Sequence, residues 1–131
     1  MSHISVLRQE TIDYLLPDGP VQRVIDGTLG AGGHTRALLE AGVDTVLGLD
    51  LDTQALAIAR DVLAPYGERA QIVQASYRTM HQQAAALGWD QVDAIVLDLG
   101  VSSMQLDTAE RGFAFRMDGP LDMRFTEHDG R

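Results

Sequence analysis

Two patterns of apolar residues alternate along the chain. Short runs rich in β-branched and other apolar residues predict buried strands at Val21–Asp26, Thr45–Asp50, Ala70–Gln74 and Val92–Leu97. Between these runs the apolar residues recur at helical spacing, which predicts helices at His34–Ala41, Thr53–Leu63 and Thr79–Leu87. Because strands and helices alternate, right-handed crossovers are expected. The pattern therefore predicts an α/β fold whose parallel sheet carries helices on both faces.

The segments before and after this alternation differ from it. Apolar positions from Ser5 to Leu16 fit one face of a helix, which the turn beginning at Pro17 ends. After Leu97 the chain is rich in Gly, Asp, Arg and Ser and has no convincing helical or strand period. We therefore predict one domain in three parts: an N-terminal helix and turn at 1–20, a strand and helix core at 21–97, and an active-site loop region at 98–131.

A glycine-rich stretch joins the first predicted strand to the first helix. It reads Asp-Gly-Thr-Leu-Gly-Ala-Gly-Gly-His from Asp26 to His34. Glycine lets the backbone take positive φ and approach a ligand closely, so the stretch predicts a nucleotide-type cofactor site. It is not a mononucleotide phosphate loop, because the chain has no lysine, and the dinucleotide pattern counted from Gly30 places Thr35 where its third glycine belongs. The alternative is a tight turn without a ligand.

Polar residues stand at the ends of the predicted strands, where ligands of parallel sheets bind. Asp26, Asp50 and Asp98 end the first, second and fourth strands, and Ser76-Tyr77 follows the third. Asp50 lies twenty residues after Gly30, the distance at which a carboxylate accepts hydrogen bonds from ribose hydroxyls in nucleotide-binding folds. A carboxylate there would repel a 2′-phosphate, so an unphosphorylated ribose is expected. The alternative for Asp50 is a capping or turn role.

Two further residues near the strand ends have two interpretations each. Tyr77 either lies against an adenine ring or packs on the core. His34, in the first turn of a helix, either hydrogen-bonds a ligand or caps the helix. We predict no metal site, because no second ligand accompanies His34 at a metal-site spacing.

Composition limits the classes of protein. The 131 residues, 45% of them hydrophobic, suit a single core. A net charge of -9 argues against a self-sufficient nucleic-acid binder, so any RNA must be held elsewhere. All ten basic residues are arginines, and four of them fall in the last twenty-one positions: Arg111, Arg116, Arg124 and Arg131. The chain shows no charged leader and no long apolar run, so we expect a cytoplasmic protein without membrane insertion.

Four stretches together resemble a known family. They are the glycine-rich stretch, Asp50-Leu-Asp52, Asp98-Leu-Gly-Val-Ser-Ser103, and the run from Glu110-Arg-Gly-Phe-Ala-Phe-Arg116 to Asp118-Gly-Pro-Leu-Asp-Met-Arg124. Nearly the whole chain is similar to the MraW-type methyltransferases of small-subunit ribosomal RNA. The resemblance implies a Rossmann-like fold that uses S-adenosylmethionine to methylate the exocyclic N4 of a cytosine in the decoding region of 16S ribosomal RNA. It also implies cofactor contacts at Gly32, Gly33, His34, Asp50, Tyr77, Asp98 and Gln105.

The chain departs from the family pattern in two respects. Met104 stands where the family commonly has proline, which loosens the loop expected to aim Gln105. Family members are also much longer, with a helical RNA-recognition insertion and a C-terminal part, so the chain is expected to be an N-terminal fragment that is inactive alone. We expect an incomplete sheet to leave an unpaired edge next to the last strand, through which the chain self-associates.

The expected chemistry assigns roles to residues of the last segment. Asp98, at the end of the predicted central strand, is the candidate catalytic residue that orients the cytosine amine, and its alternative is a strand-end carboxylate that bonds loop amides. Phe113 and Phe115 either stack on the unstacked base or pack on the core. Two other functions stay open: a cofactor-binding module without catalysis that acts with another chain, and a nicotinamide-dependent dehydrogenase, which the glycine spacing disfavours.

Overall fold

The computed structural model describes residues 22–97, together with the backbone of Asp98 and of residues 112–116. Within these residues the strands are β1 Arg23–Asp26, β2 Thr45–Asp50, β3 Ala70–Gln74, β4 Ala94–Asp98 and β5 Gly112–Arg116. The helices are α1 Gly33–Glu40, α2 Thr53–Leu63 and α3 Met80–Ala86, with 3-10 turns at Ala64–Arg69 and Tyr77–Thr79. The predicted N-terminal helix and Gln105 lie outside the described residues.

The sheet has the order β3-β2-β1-β4-β5. The first four strands are parallel, and β5 runs antiparallel to β4. The predicted parallel α/β fold is therefore confirmed, with β1 rather than β4 at the centre of the described sheet. Because the chain moves from β1 through β2 to β3 and then crosses to the other side of β1, the strand order reverses between β1 and β4. Ligands of open parallel sheets bind beyond the carboxyl ends of the strands at such a reversal.

The strand β5 corrects the prediction that residues 98–131 contain no regular element. Its five residues pair along the full length of β4, with Phe113 opposite Leu97 and Phe115 opposite Ile95. The alternation Gly-Phe-Ala-Phe-Arg is too short to stand out among polar neighbours. These residues form a strand because they pair with the otherwise open edge of β4. That edge is therefore paired, and self-association stays a prediction that would have to use another edge. Arg116 lies beside Ala94, at the amino end of β4 and away from the predicted cofactor edge.

Two apolar layers enclose the strands because successive strand residues point to opposite faces. Helices α1 and α2 cover one face, where Val24, Val46 and Val96 lie in one buried cluster. Helix α3 covers the other face, where Ile25 and Leu47 lie in a second cluster. This accounts for the near-continuous apolar runs in the sequence, since strands buried on both faces need no polar positions. No helix within residues 22–98 is long and apolar enough to cross a membrane.

The turn between α1 and β2 is held from outside by Arg69. Its guanidinium donates to three backbone carbonyls, those of Leu39 at 3.1 Å, Val43 at 2.7 Å and Asp44 at 3.1 Å. Carbonyls at a helix C-terminus lack partners within the helix. A cation there also interacts favourably with the negative end of the helix dipole. Arg69 therefore fixes the point at which the chain turns from α1 into the sheet.

We expect Arg69→Met to destabilise the fold by about 1 to 2 kcal/mol, because three carbonyls lose a charged donor and, among the described residues, only that of Leu39 keeps a backbone donor, Gly42 N. The measurement is urea unfolding followed by circular dichroism, read as a lower midpoint at unchanged slope. Arg60→Met, on an exposed position of α2, is the matched control. Equal midpoints for the two variants would show that the Arg69 bonds contribute nothing.

Candidate cofactor site

The candidate site lies at the carboxyl ends of the strands, which we call the carboxyl edge of the sheet. There β1 ends before its two neighbours and leaves a notch between them. In register, Asp26 stands opposite Gly48 of β2 and Val96 of β4, so both neighbours extend two residues beyond the end of β1. The chain leaving β1 still bonds to both neighbours: Gly27 N donates to Val96 O at 2.9 Å, and Leu29 N donates to Leu49 O at 2.8 Å. Residues 27–32, which we call the glycine loop, therefore lie between the ends of β2 and β4.

Backbone conformation explains two of the glycines in this loop. Gly30 and Gly32 have φ values of +56° and +96°, in the left-handed region that favours glycine. Gly32 is the residue before α1, its N–H donates to Leu29 O at 2.9 Å, and a Cβ built on it would lie 3.3 Å from Leu63 Cδ1. Gly32 thus starts α1 and lets it approach α2 closely.

Leu29 anchors the glycine loop in the core. The side chain is 3% exposed and lies over Gly48, where an added Cβ would come 2.6 Å from Leu29 Cδ1. The absence of a side chain at Gly48 in β2 therefore makes the space that Leu29 fills. The loop is fixed on its inner side by apolar packing, which leaves its backbone to face the edge of the sheet.

Asp50 fixes the loop on its outer side. Its Oδ2 accepts from Gly30 N at 2.7 Å, and its Oδ1 accepts from Asp52 N at 2.9 Å. An ionised carboxylate offers about four lone-pair positions, so two remain for the hydroxyls of a ribose. The capping role belongs to Asp52, which accepts from Gln54 N at 2.9 Å at the start of α2.

A pocket of about 180 Å³ opens beside this carboxylate. It is lined by residues from the ends of β1, β2 and β3: Gly27, Thr28, Asp50, Leu51, Ala75, Ser76 and Tyr77. Of the predicted site residues, Asp50 and Tyr77 meet here. Sequence reasoning missed Leu51, although an exposed leucine directly after a polar strand end was the available signal. It is 63% exposed, which is unusual for a leucine beside a core strand.

Tyr77 packs on the core, as one of its two interpretations expects, and its contact with an adenine ring stays a prediction. It lines the pocket, and it also packs on the apolar cluster beneath α3. Its Cβ lies 2.8 Å from where a Cβ on Gly27 would stand, so only glycine at position 27 permits this approach. The Arg78 guanidinium lies 5.6 Å from the Tyr77 ring centroid on the exposed side, within the range of a cation–π contact.

Among the described residues, those of the glycine-rich stretch and the start of α1 that were predicted to contact the cofactor do not line this pocket. Gly33 and His34 begin α1, and the side chain of His34 is 7% exposed. Asp98 ends β4 on the same edge of the sheet, opposite Gly112 of β5, and only its backbone is described. Gln105 lies outside the described residues. The roles assigned to these residues, to Gly32, and to Asp50 and Tyr77 all stay predictions.

The side chains that line the pocket suit the nucleoside half of S-adenosylmethionine. Asp50 supplies an acceptor for a diol, and Leu51 and Tyr77 supply apolar and aromatic surface for a flat ring. The volume is below the roughly 300 to 1,000 Å³ typical of pockets for drug-sized ligands, so the described residues enclose only part of such a cofactor. When bound, this cofactor would be held by Asp50, Leu51 and Tyr77 at its nucleoside end.

Comparison with known proteins gives the family. The model of the MraW methylase family matches residues 1–131. The chain belongs to the MraW methylase family.

Two curated relatives illustrate the match. Both are named ribosomal RNA small subunit methyltransferase H. The protein from Geotalea uraniireducens (strain Rf4) is 48% identical over 132 residues, covering 98% of this chain and 42% of the relative. The protein from Acinetobacter baylyi is 50% identical over 133 residues, covering all of this chain and 44% of the relative. This MraW-family chain thus spans about two fifths of the length of these relatives.

Solved structures agree on the fold. An S-adenosylmethionine-dependent methyltransferase from Agrobacterium tumefaciens matches with a TM-score of 0.56 at 12% identity, covering 72% of this chain and 43% of that one. An rRNA methylase from Streptococcus thermophilus matches with a TM-score of 0.52 at 15% identity, covering 82% and 78%. The predicted Rossmann-like methyltransferase fold is confirmed. The methylase family and the shared fold are consistent with S-adenosylmethionine as the cofactor.

We expect Leu51→Ser to weaken S-adenosylmethionine binding about fivefold, because covering an exposed leucine contributes on the order of 1 kcal/mol. Ile58→Ser is the matched control, since Ile58 is 52% exposed on α2 and does not line the pocket. Calorimetric titration of both variants measures the difference. If both bind like the wild type, Leu51 has no part in holding the ligand.

Proposed function

We propose that this chain forms the cofactor-binding part of a methyltransferase that modifies the exocyclic N4 of a cytosine in the decoding region of 16S ribosomal RNA. The observation that carries the proposal is the Asp50 carboxylate, fixed beside the glycine loop in a pocket at the carboxyl edge of the sheet, in a member of the MraW family. The small ribosomal subunit is the proposed partner, and the cytoplasm is the proposed place of action.

The chain's own residues would bind and orient the cofactor. Asp50 would accept from the ribose hydroxyls, while Leu51 and Tyr77 flank the adenine. When bound, S-adenosylmethionine supplies an electrophilic methyl group on its sulfonium. The protein's main contribution is then to align a nitrogen in line with that group, and such alignment lowers a barrier by up to roughly 7 to 11 kcal/mol. Gly32, Gly33, His34 and Gln105 are proposed to complete the cofactor contacts.

Asp98 is proposed to act on the cytosine amine. The N4 lone pair is delocalised into the ring, so an acceptor for its hydrogens would help the nitrogen pyramidalise. As the bond from N4 to the methyl carbon forms and the bond from that carbon to sulfur breaks, the amine loses one proton, which a carboxylate can take or pass to water. Asp98 extends two residues beyond the level of Asp26 at the same edge of the sheet, which supports this role.

RNA recognition is proposed to lie mainly elsewhere in the whole protein. The chain carries a net charge of -9, whereas proteins that hold RNA phosphates present a basic surface. We therefore expect this chain by itself to bind the cofactor without methylating RNA. Phe113, Phe115 and the arginines of residues 98–131 stay candidates for local RNA contacts.

We expect Asp50→Asn to weaken S-adenosylmethionine binding at least about tenfold, because charged hydrogen bonds contribute about 1.5 to 3 kcal/mol each. Calorimetric titration measures the affinity, with NAD as a ligand that should not bind. Asp52→Asn is the matched control: it alters the cap of α2 and lies outside the pocket. Equal affinity of wild type and Asp50→Asn would contradict the role of this carboxylate.

For the whole protein, incubation with S-adenosylmethionine and small ribosomal subunits that lack the modification should yield N4-methylcytidine in 16S RNA, detected by mass spectrometry of the digested nucleosides. Asp98→Asn should lower the rate of transfer at least about a hundredfold if the carboxylate both orients the amine and accepts its proton. Cofactor binding without any transfer would favour a binding module that acts with another chain. Methylation at another atom would contradict the proposed substrate.

A further inference from the structure

A buried carboxylate joins the two ends of the glycine loop. Asp26 ends β1 and is 1% exposed. Its Oδ1 accepts from Thr28 N at 3.2 Å, at the start of the loop. Its Oδ2 accepts from the Thr35 hydroxyl at 2.8 Å, in the first turn of α1 beyond the end of the loop. Thr35 is itself 1% exposed, so both partners of the second bond are shielded from water.

The two hydrogen bonds of Asp26 and the one that Asp50 accepts from the loop hold the loop at three positions. Asp26 holds the loop at its start through Thr28 and beyond its end through Thr35, and Asp50 holds its middle through Gly30 N at 2.7 Å. The hydroxyl of Thr35 is the one side-chain donor among these three. It therefore links the position of α1 to the carboxylate at the end of the central strand.

We propose that Thr35 is a positioning residue for cofactor binding. Through its bond to Asp26, Thr35 holds the glycine loop in the conformation that binds the ligand. The inference rests on the proposed cofactor binding and adds a residue that does not line the pocket. Thr28 belongs both to the Asp26 contact and to the pocket lining. A shift of Asp26 is thereby passed to the wall that faces the ligand.

The hydroxyl matters for affinity because burial makes its loss costly. A buried carboxylate that loses a donor moves toward other partners rather than staying in place. The loop then populates several conformations, of which only some bind the ligand. The apparent affinity is the intrinsic affinity multiplied by the fraction of molecules in the binding conformation. Such a variant binds cofactor less tightly while its bound form keeps the same geometry. KM for the cofactor therefore rises and kcat stays close to its normal value.

The test compares Thr35→Val, which keeps the shape and removes the hydroxyl, with Thr35→Ser, which keeps the hydroxyl. Calorimetric titration with S-adenosylmethionine should show binding about tenfold or more weaker for Thr35→Val and near-normal binding for Thr35→Ser. Thr45→Val makes the same change at the amino end of β2, far from the loop, and should bind normally. Amide hydrogen exchange at Thr28 and Gly30 should be faster in Thr35→Val, measured without any ligand.

The outcomes separate this inference from the proposed function. Wild-type binding with equal affinity in Thr35→Val overturns the inference alone. Unchanged exchange at Thr28 and Gly30 in Thr35→Val also overturns it, because the loop would then hold its path without the hydroxyl. Failure of Thr35→Ser to restore affinity would assign the effect to packing. No binding by a folded wild-type chain overturns the inference together with the proposed cofactor binding.

Discussion

The early end of β1 is the constraint on which the site depends. Because both neighbouring strands continue for two more residues, the backbone leaving β1 enters a notch between them. There its amides bond alternately to carbonyls of the neighbouring strands and to carboxylates. Asp26 and Asp50 accept from that backbone, and Leu29 fixes it to the core over Gly48. Cofactor site and hydrophobic core therefore share one segment of chain, so a change in either is felt by both.

The carboxylates at the ends of the strands are also expected to discriminate among nucleotide ligands. Carboxylates at the ends of the strands favour hydroxyl donors and a cationic sulfonium and oppose phosphate groups. This agrees with the glycine spacing, which fits neither a phosphate loop nor a dinucleotide fingerprint. The same negative charge makes the chain a poor surface for RNA. The relatives named as ribosomal RNA methyltransferases are more than twice as long as this chain, which is consistent with RNA contacts in their other parts.

Much of the fold could be predicted from local pattern. The bounds of β2, β3 and α2 were predicted to the residue, because apolar runs and a helical period are local signals. Asp50 and Tyr77 were both predicted near the carboxyl ends of the strands, and both line one pocket, since the carboxyl ends of parallel strands lie on the same side of the sheet. The strand β5 could not be found, because its pairing depends on the open edge of β4 and its five residues carry little pattern of their own.

The sequence by itself determined the alternation of elements, the parallel sheet, the polar strand ends and the family. Only the tertiary structure decided what several residues do. Thr35, in sequence merely the residue that breaks a glycine pattern, is the donor that ties α1 to Asp26. Gly32 lets α1 approach α2, and Leu51 becomes a wall of the pocket. Periodicity reports which face of an element is buried, whereas these roles depend on which atoms of distant segments meet, and packing alone sets that.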